Sequence, residues 1–396
     1  MAAVFVLPST ASGQQGPVAA LLSSAGWTAA ARRVLGDAWL VTPDGVMEPA
    51  DARSQGTAGH LASRSRSGLV SRVPDVAKTA IKDVRQISRA RRFRVDPDGP
   101  WAGGPVDFVW QRHELFHQAG LDLAQALQVP SVLFVPATVI WEAQRWGVRR
   151  PGMDRMLERV GEAPALRRAN LLACGAPEVA EQAVRMGADP QRIVITPTGV
   201  DLDVFQRPVQ DTGRKESLGL GGRFVVGWVG SFRPFHAVNQ LVEAVAGLDG
   251  VSLLLVGDGP ERPAIEDEAA ALGVDVVFTG TIDHQELPDL LAVMDAAAVL
   301  AQPDGGFHYS PLKLGEYFAA GLAVVAPDVP TVRSRVSDEV DVLLVPPGDR
   351  RGLRSAISRL RDDPDFRKSL GEQARVEASA HWSWDDQVRK VCEALR

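Results

Sequence analysis

Two short stretches combine residue types and spacings that could do chemistry. The first is His113-Glu114-Leu115-Phe116-His117, the HExxH spacing. On a helix, His at i and i+4 share a face and can bind zinc, with the Glu between them as general base. The second is Ser310-Pro311-Leu312-Lys313, followed by Glu316. Ser310 suits an N-cap, Pro311 the first helical position and Gly321 the stop, so the pattern predicts a short helix from 311 to 320. Lys313 then falls in the first turn, where its charge opposes the helix dipole by about 0.3–1 kcal/mol. A bound anion reverses that sign, because free backbone N–H groups and the ammonium face it together. Glu316 shares the face of Lys313. N–H groups and Lys for a pyrophosphate, with Glu for ribose hydroxyls, suit a nucleotide sugar. The same residues also fit a plain amphipathic helix with an i,i+3 salt bridge.

The HExxH reading lacks support elsewhere in the chain. No HExxHxxGxxH continuation follows, and Glu142 is the one downstream carboxylate in a suitable position. The stretch instead follows a predicted strand, 106–110, so His113 is expected at the carboxyl end of that strand. Leu115, Phe116 and Leu121 are expected to pack a following helix on the sheet. No metal site is predicted.

Strands alternate with helices in both halves of the 396 residues, which implies two doubly wound parallel sheets. Predicted strands are 3–7, 38–42, 106–110, 131–135, 170–174 and 193–196, then 224–229, 252–256, 275–278, 296–300, 322–326 and 341–345. The interval 45–105 reads as irregular. The expected domains are 1–205 and 206–383, with a last helix over 384–396 packing back on the first. Ligands of such sheets bind beyond the carboxyl ends of the strands.

Composition is that of an ordinary globular chain, 45% apolar and 23% charged. Cys174 and Cys392 form no metal or redox pattern, which suits a reduced, cytoplasmic setting. The first apolar run is short for a signal peptide, and no run approaches the roughly 20 apolar residues of a membrane helix. Net charge is −6, yet Arg53 to Arg94 holds eleven Lys/Arg against Asp75 and Asp83. That window suits either a solvated loop and helix with a basic face or a mobile segment meeting an anionic acceptor or the inner face of a membrane.

SPLKLGEYFAAGLAVVAP, LLLVGDGPERPAIE (253–266), VVFTGTID (276–283) and TPTGVDLDVF (196–205) together resemble retaining glycosyltransferases of family 4, in an SPLKL subset. SWDDQVRKVCEAL (383–395) resembles that family's closing helix. The resemblance covers roughly 190–396 well and the first half loosely. It implies a GT-B fold: two Rossmann-like domains facing a cleft, the second binding the nucleotide. It implies transfer of a sugar from a nucleotide diphosphate donor to a hydroxyl acceptor with retained configuration and no metal or other cofactor. It places Glu316 at the ribose. The family's first carboxylate is His308 here, and its Arg and Lys after the first strand are Ser231 and His236, with Arg233 beside them. Phosphate contacts are therefore expected from Arg233, His236, Lys313, Ser310 and Leu312, and base contacts from Thr281 and Ile282. GxGxxG is not met at 257–262, which argues against a nicotinamide enzyme.

In the first half, Gly16 opens a turn after the first strand and is a further phosphate candidate. His113 is a candidate donor-sugar contact, or else a His that satisfies a helix start. Arg112, Trp141 and Glu142 are acceptor-side candidates, the Trp equally suited to core. The departures at Ser231, His236 and His308 motivate one rival reading, a nucleotide-sugar-binding protein without transferase activity; a second rival, an epimerase or phosphorylase of the same fold, is poorly supported by the motifs. The base, sugar, acceptor and oligomeric state are not legible.

Overall fold

A computed structural model describes residues 2–9, 18–52, 75–145, 147–207, 213–303 and 312–396. The chain divides into two compact units, Met1–Gly199 with Trp384–Arg396, and Val200–Ser383.

The first unit holds a seven-stranded sheet: β1 (Ala2–Val6), β2 (Asp37–Thr42), β3 (Gly45–Met47), β4 (Phe108–Arg112), β5 (Ser131–Val135), β6 (Leu171–Cys174) and β7 (Ile193–Ile195). Their order is β3-β2-β1-β4-β5-β6-β7. All pairs are parallel except β2 with β3, which the two-residue turn Pro43-Asp44 folds back onto Gly45 (φ 114°). β1 and β5 are buried at every position, as continuous apolar runs of central parallel strands should be. α1 (Val18–Leu35) lies on this sheet through Leu21, Ala25 and Trp27. Trp384 of the closing helix docks against α1. A Cβ on Gly26 would come within 2.5 Å of its ring, and one on Gly199 within 2.6 Å. Only glycine leaves room for that indole.

Two expectations fail in this unit. Residues 45–105 are not wholly irregular: α2 (Asp75–Arg92) runs through them. Its Lys, Arg, Gln and Ala are good helix formers, but Ile81 and Val84 face solvent and blur the apolar period. Asp83 ties it inward through a buried ion pair with Arg150 at 2.8 Å. The second failure is HELFH. β4 runs two residues further than expected, and α3 (Ala119–Leu127) begins only after His117. The six residues between, 113–118, turn at Phe116 (φ 69°). The two His therefore share no helix face, and the zinc geometry is not built.

The second unit holds β8 (Phe224–Val229), β9 (Val251–Val256), β10 (Val276–Gly280), β11 (Ala296–Ala298), β12 (Ala323–Pro327) and β13 (Leu343–Val345), parallel throughout, in the order β10-β9-β8-β11-β12-β13. The helix predicted from 311 to 320 is observed over Leu312–Ala319. Tyr317 and Phe318 on it are fully buried. Among the described residues, no helix is long and apolar enough to cross a membrane.

Candidate functional site

Strand order reverses between β8 and β11 in the second unit, and the loops leaving these strands are where a ligand should bind. The loop after β8 is Gly230-Ser231-Phe232-Arg233 and is held by three close approaches. Tyr317 fixes its root, its hydroxyl accepting from the Val229 N–H at 2.8 Å. A Cβ on Gly257 would fall 2.0 Å from the Gly230 carbonyl oxygen, and one on Gly259 2.5 Å from the Phe232 nitrogen. The glycines of Gly257-Asp258-Gly259 thus let two loops pack backbone on backbone. That explains the Gly-rich turn without a dinucleotide.

Trp228, the penultimate residue of β8, organises the cations. The Lys313 Nζ sits 4.2 Å from the centre of its ring, an attraction of about 0.5–2 kcal/mol. The His236 ring meets the same indole edge-on at 5.4 Å. The Ser231 carbonyl accepts from His236 Nδ1, which ties the ring to the loop. Gly230 completes the arrangement at φ 152°: a Cβ there would stand 2.9 Å from the Lys313 Nζ. Burial pushes the Lys313 amine down to about 7, Glu316 opposing. An anion beside it would restore the charge that burial penalises. Arg233 lies on the same loop with its side chain exposed.

Glu316, one turn beyond Lys313, is buried, and its Oε1 is 2.9 Å from the His284 Nε2. His284 was not anticipated, because 32 residues separate it from Glu316. Thr281 and Ile282 follow β10 and are half-buried, Ile282 packing on the core. Leu312 opens the helix, also half-buried. Gly16, His308 and Ser310 lie outside the described residues.

The first unit presents different chemistry at its own reversal, between β1 and β4. Arg112 ends β4, donates to Ser23 Oγ at 3.3 Å and lies over the Phe134 ring at 5.9 Å. His113 is closed to solvent. Its Nε2 is 2.9 Å from Glu162 Oε2, and both side chains are fully buried. Glu162 also accepts from the N–H groups of Val139 at 2.6 Å and Ile140 at 3.0 Å, which start α4 (Val139–Arg145). His113 therefore positions a helix, and the sugar contact expected of its ring meets no open face here. Burial holds His117 neutral, its pKa pushed down to about 4. Gln111 replaces a local cap for α3, its amide bridging the His117 carbonyl at 2.9 Å and the Gly120 N–H at 2.7 Å. On α4, Trp141 is half-buried beneath the Arg145 guanidinium at 4.4 Å, and Glu142 is half-buried beside it.

Ser9, beyond β1, donates to Glu114 Oε1 at 2.7 Å. Burial raises the Glu114 carboxyl, with Ser9 and then Arg112, His113 and Arg89 opposing. The expected helix hid this pair in the sequence, since it turned Glu114 away from the strand end.

Residues 223–363 match the family described as Glycosyl transferases group 1. A D-inositol 3-phosphate glycosyltransferase of Salinispora arenicola is 31% identical over 315 residues, covering 74% of this chain and 69% of that protein. One from Mycobacteroides abscessus is 34% identical, covering 58% of this chain and 52% of its own. The chain spans only about half the length of the first curated relatives it matches, 52–58%. Among solved structures, the Anabaena HepE protein in complex with UDP superposes with a TM-score of 0.65 at 17% identity, covering 100% of this chain and 99% of that one. The two parallel sheets and this likeness give the chain a two-domain, Rossmann-like GT-B fold.

Proposed function

This chain belongs to the glycosyl transferases group 1 family, and on that premise we propose that it moves a sugar from a nucleoside diphosphate to a hydroxyl acceptor with retained configuration, as in family 4. The observation that carries this reading is the Lys313 ammonium held over Trp228 at the reversal of a parallel sheet. Lys313, Arg233 and His236 take the diphosphate. Charge grows on the departing phosphate as the glycosidic bond breaks, and preplaced cations stabilise it without reorganising. Glu316 exchanges its His284 contact for the ribose hydroxyls, and Thr281 and Ile282 border the base. Trp141, Glu142 and Arg112 serve the acceptor from the first unit. No metal ion is needed, so turnover is expected to survive EDTA.

UDP is the first nucleotide to test, since HepE is solved with it. A thermal-shift panel of UDP, GDP, ADP, dTDP and CDP should show stabilisation by one base, about 2.7 kcal/mol at ligand 100-fold above its dissociation constant. No shift with any nucleotide in folded protein would sink the reading. Product NMR showing inversion would reject retention. α2 supports an acceptor that is anionic or held at a membrane surface, because it exposes Ile81 and Val84 among Lys82, Arg85 and Arg89. Sedimentation with anionic vesicles, lost at high salt, is the expected outcome.

A further inference from the structure

The donor reading leaves one polar pair unused, Ser9 with Glu114. Both lie at the reversal of strand order in the first unit, one beyond β1 and the other beyond β4. Glu114 has spent one oxygen on the Ser9 hydroxyl. Its other oxygen accepts no hydrogen bond from a described residue. The nearby cations favour the charged form without forming a salt bridge to it among the described residues. Ser9, whose O–H donates to Glu114, keeps its oxygen lone pairs as acceptors. The pair, half-buried at both residues, thus offers two acceptors side by side beyond the carboxyl ends of neighbouring strands.

We propose that Glu114 and Ser9 recognise neighbouring hydroxyls of a polyhydroxylated acceptor, such as a sugar or cyclitol. Glu114 Oε2 accepts from one hydroxyl and Ser9 Oγ from the next. An isolated alcohol leaves one of these unpaired and is rejected, as sites built around a substrate hydroxyl reject analogues that lack it. No bond is made or broken at the pair: it is a positioning and specificity element. The proposal rests on the glycosyl-transfer reading for its purpose, yet its binding test does not require transfer.

The test is saturation-transfer NMR of D-inositol 3-phosphate, myo-inositol, glucose and 1-propanol with the full chain, alongside UDP titration. Wild type should bind at least one polyol and not propanol. Glu114→Gln and Ser9→Ala should each weaken that binding tenfold or more while UDP affinity stays within twofold. Ser9→Ala removes a partly exposed hydroxyl, so it guards against a Glu114→Gln protein that fails to fold. Absence of polyol binding in protein that binds UDP, or polyol binding equal to wild type in both variants, overturns the proposal. Loss of UDP binding with variant-sensitive polyol binding supports it and overturns the donor reading instead.

Discussion

The two units solve one topological problem with opposite chemistry. Each has an open parallel sheet whose order reverses once, β1/β4 in the first and β8/β11 in the second. The second places a desolvated amine, an imidazole and a guanidinium-bearing loop there, held by Trp228 and by glycines that admit backbone on backbone. The first places a carboxyl and a hydroxyl there. It seals its histidine inside, against Glu162. The shared topology supplies the edge, and the side chains set its chemistry, cationic in the second unit and hydrogen-bond accepting in the first.

This contrast can be broken from either side. The largest expected effect is structural: Glu162→Ala leaves His113 and two helix N–H groups without their buried partner. It should cost about 3–5 kcal/mol of stability, read by denaturant melting, with UDP affinity kept in the folded fraction. A melt equal to wild type would mean His113 and α4 do not depend on the carboxylate.

Lys313→Ala should weaken UDP binding by roughly 10- to 100-fold, the worth of about 1.5–3 kcal/mol for hydrogen bonds to charged groups, without altering polyol binding in the first unit. Gly230→Ala should approach the same loss, because its Cβ displaces the amine and its φ is strained. Titration calorimetry separates these outcomes from misfolding.

The pH dependence sharpens the contrast further. Burial lowers Lys313 to about 7, so on the proposed donor reading a diphosphate bound beside it should draw a proton onto the amine. UDP affinity should therefore fall with pH from about 7 to 9, at most about tenfold per unit, and stay flat in Lys313→Ala. The folded value lies below the ordinary lysine value of about 10.4, so burial of the charged amine costs stability fully below pH 7. That cost fades as pH rises toward 10. Lys313→Met should accordingly stabilise the chain more at pH 6 than at pH 9. The reverse order would show that the amine is not desolvated.

The smallest effect is expected from His284→Ala, which frees Glu316. A change in UDP affinity of a few-fold, under about 1 kcal/mol, fits a partly exposed partner. A large loss would make His284 itself part of the site.

How much of this was legible depended on the range of the signal. The Ser-Pro-x-Lys start and Gly321 stop marked a helix by local rules, and Lys313 and Glu316 fell on it at known spacing. The strands of both sheets were legible from apolar runs, apart from β3, which is short and half-exposed. HELFH misled because its apolar residues suggested a helix, whereas Gln111 supplies the α3 cap from the preceding strand and the intervening residues turn at Phe116. α2 was legible only as a helix with a basic face somewhere in the window 53–94, without bounds, because its outward apolar residues hide its period.

The sequence by itself determined the alternation of strands and helices, the resemblance that names the family, and a cation at the start of one short helix. These rest on spacing within a few residues, where propensity and capping act. Tertiary structure alone decided that Trp228 serves as the seat of Lys313 and His236, that Glu316 meets His284, that His113 turns inward to Glu162, and that Ser9 meets Glu114. Apart from Trp228 with His236, which lie on one strand and the loop that leaves it, each of these pairings joins residues far apart in the chain. Only the folding of parallel strands side by side brings their ends together, and no local pattern encodes which neighbour a strand will have.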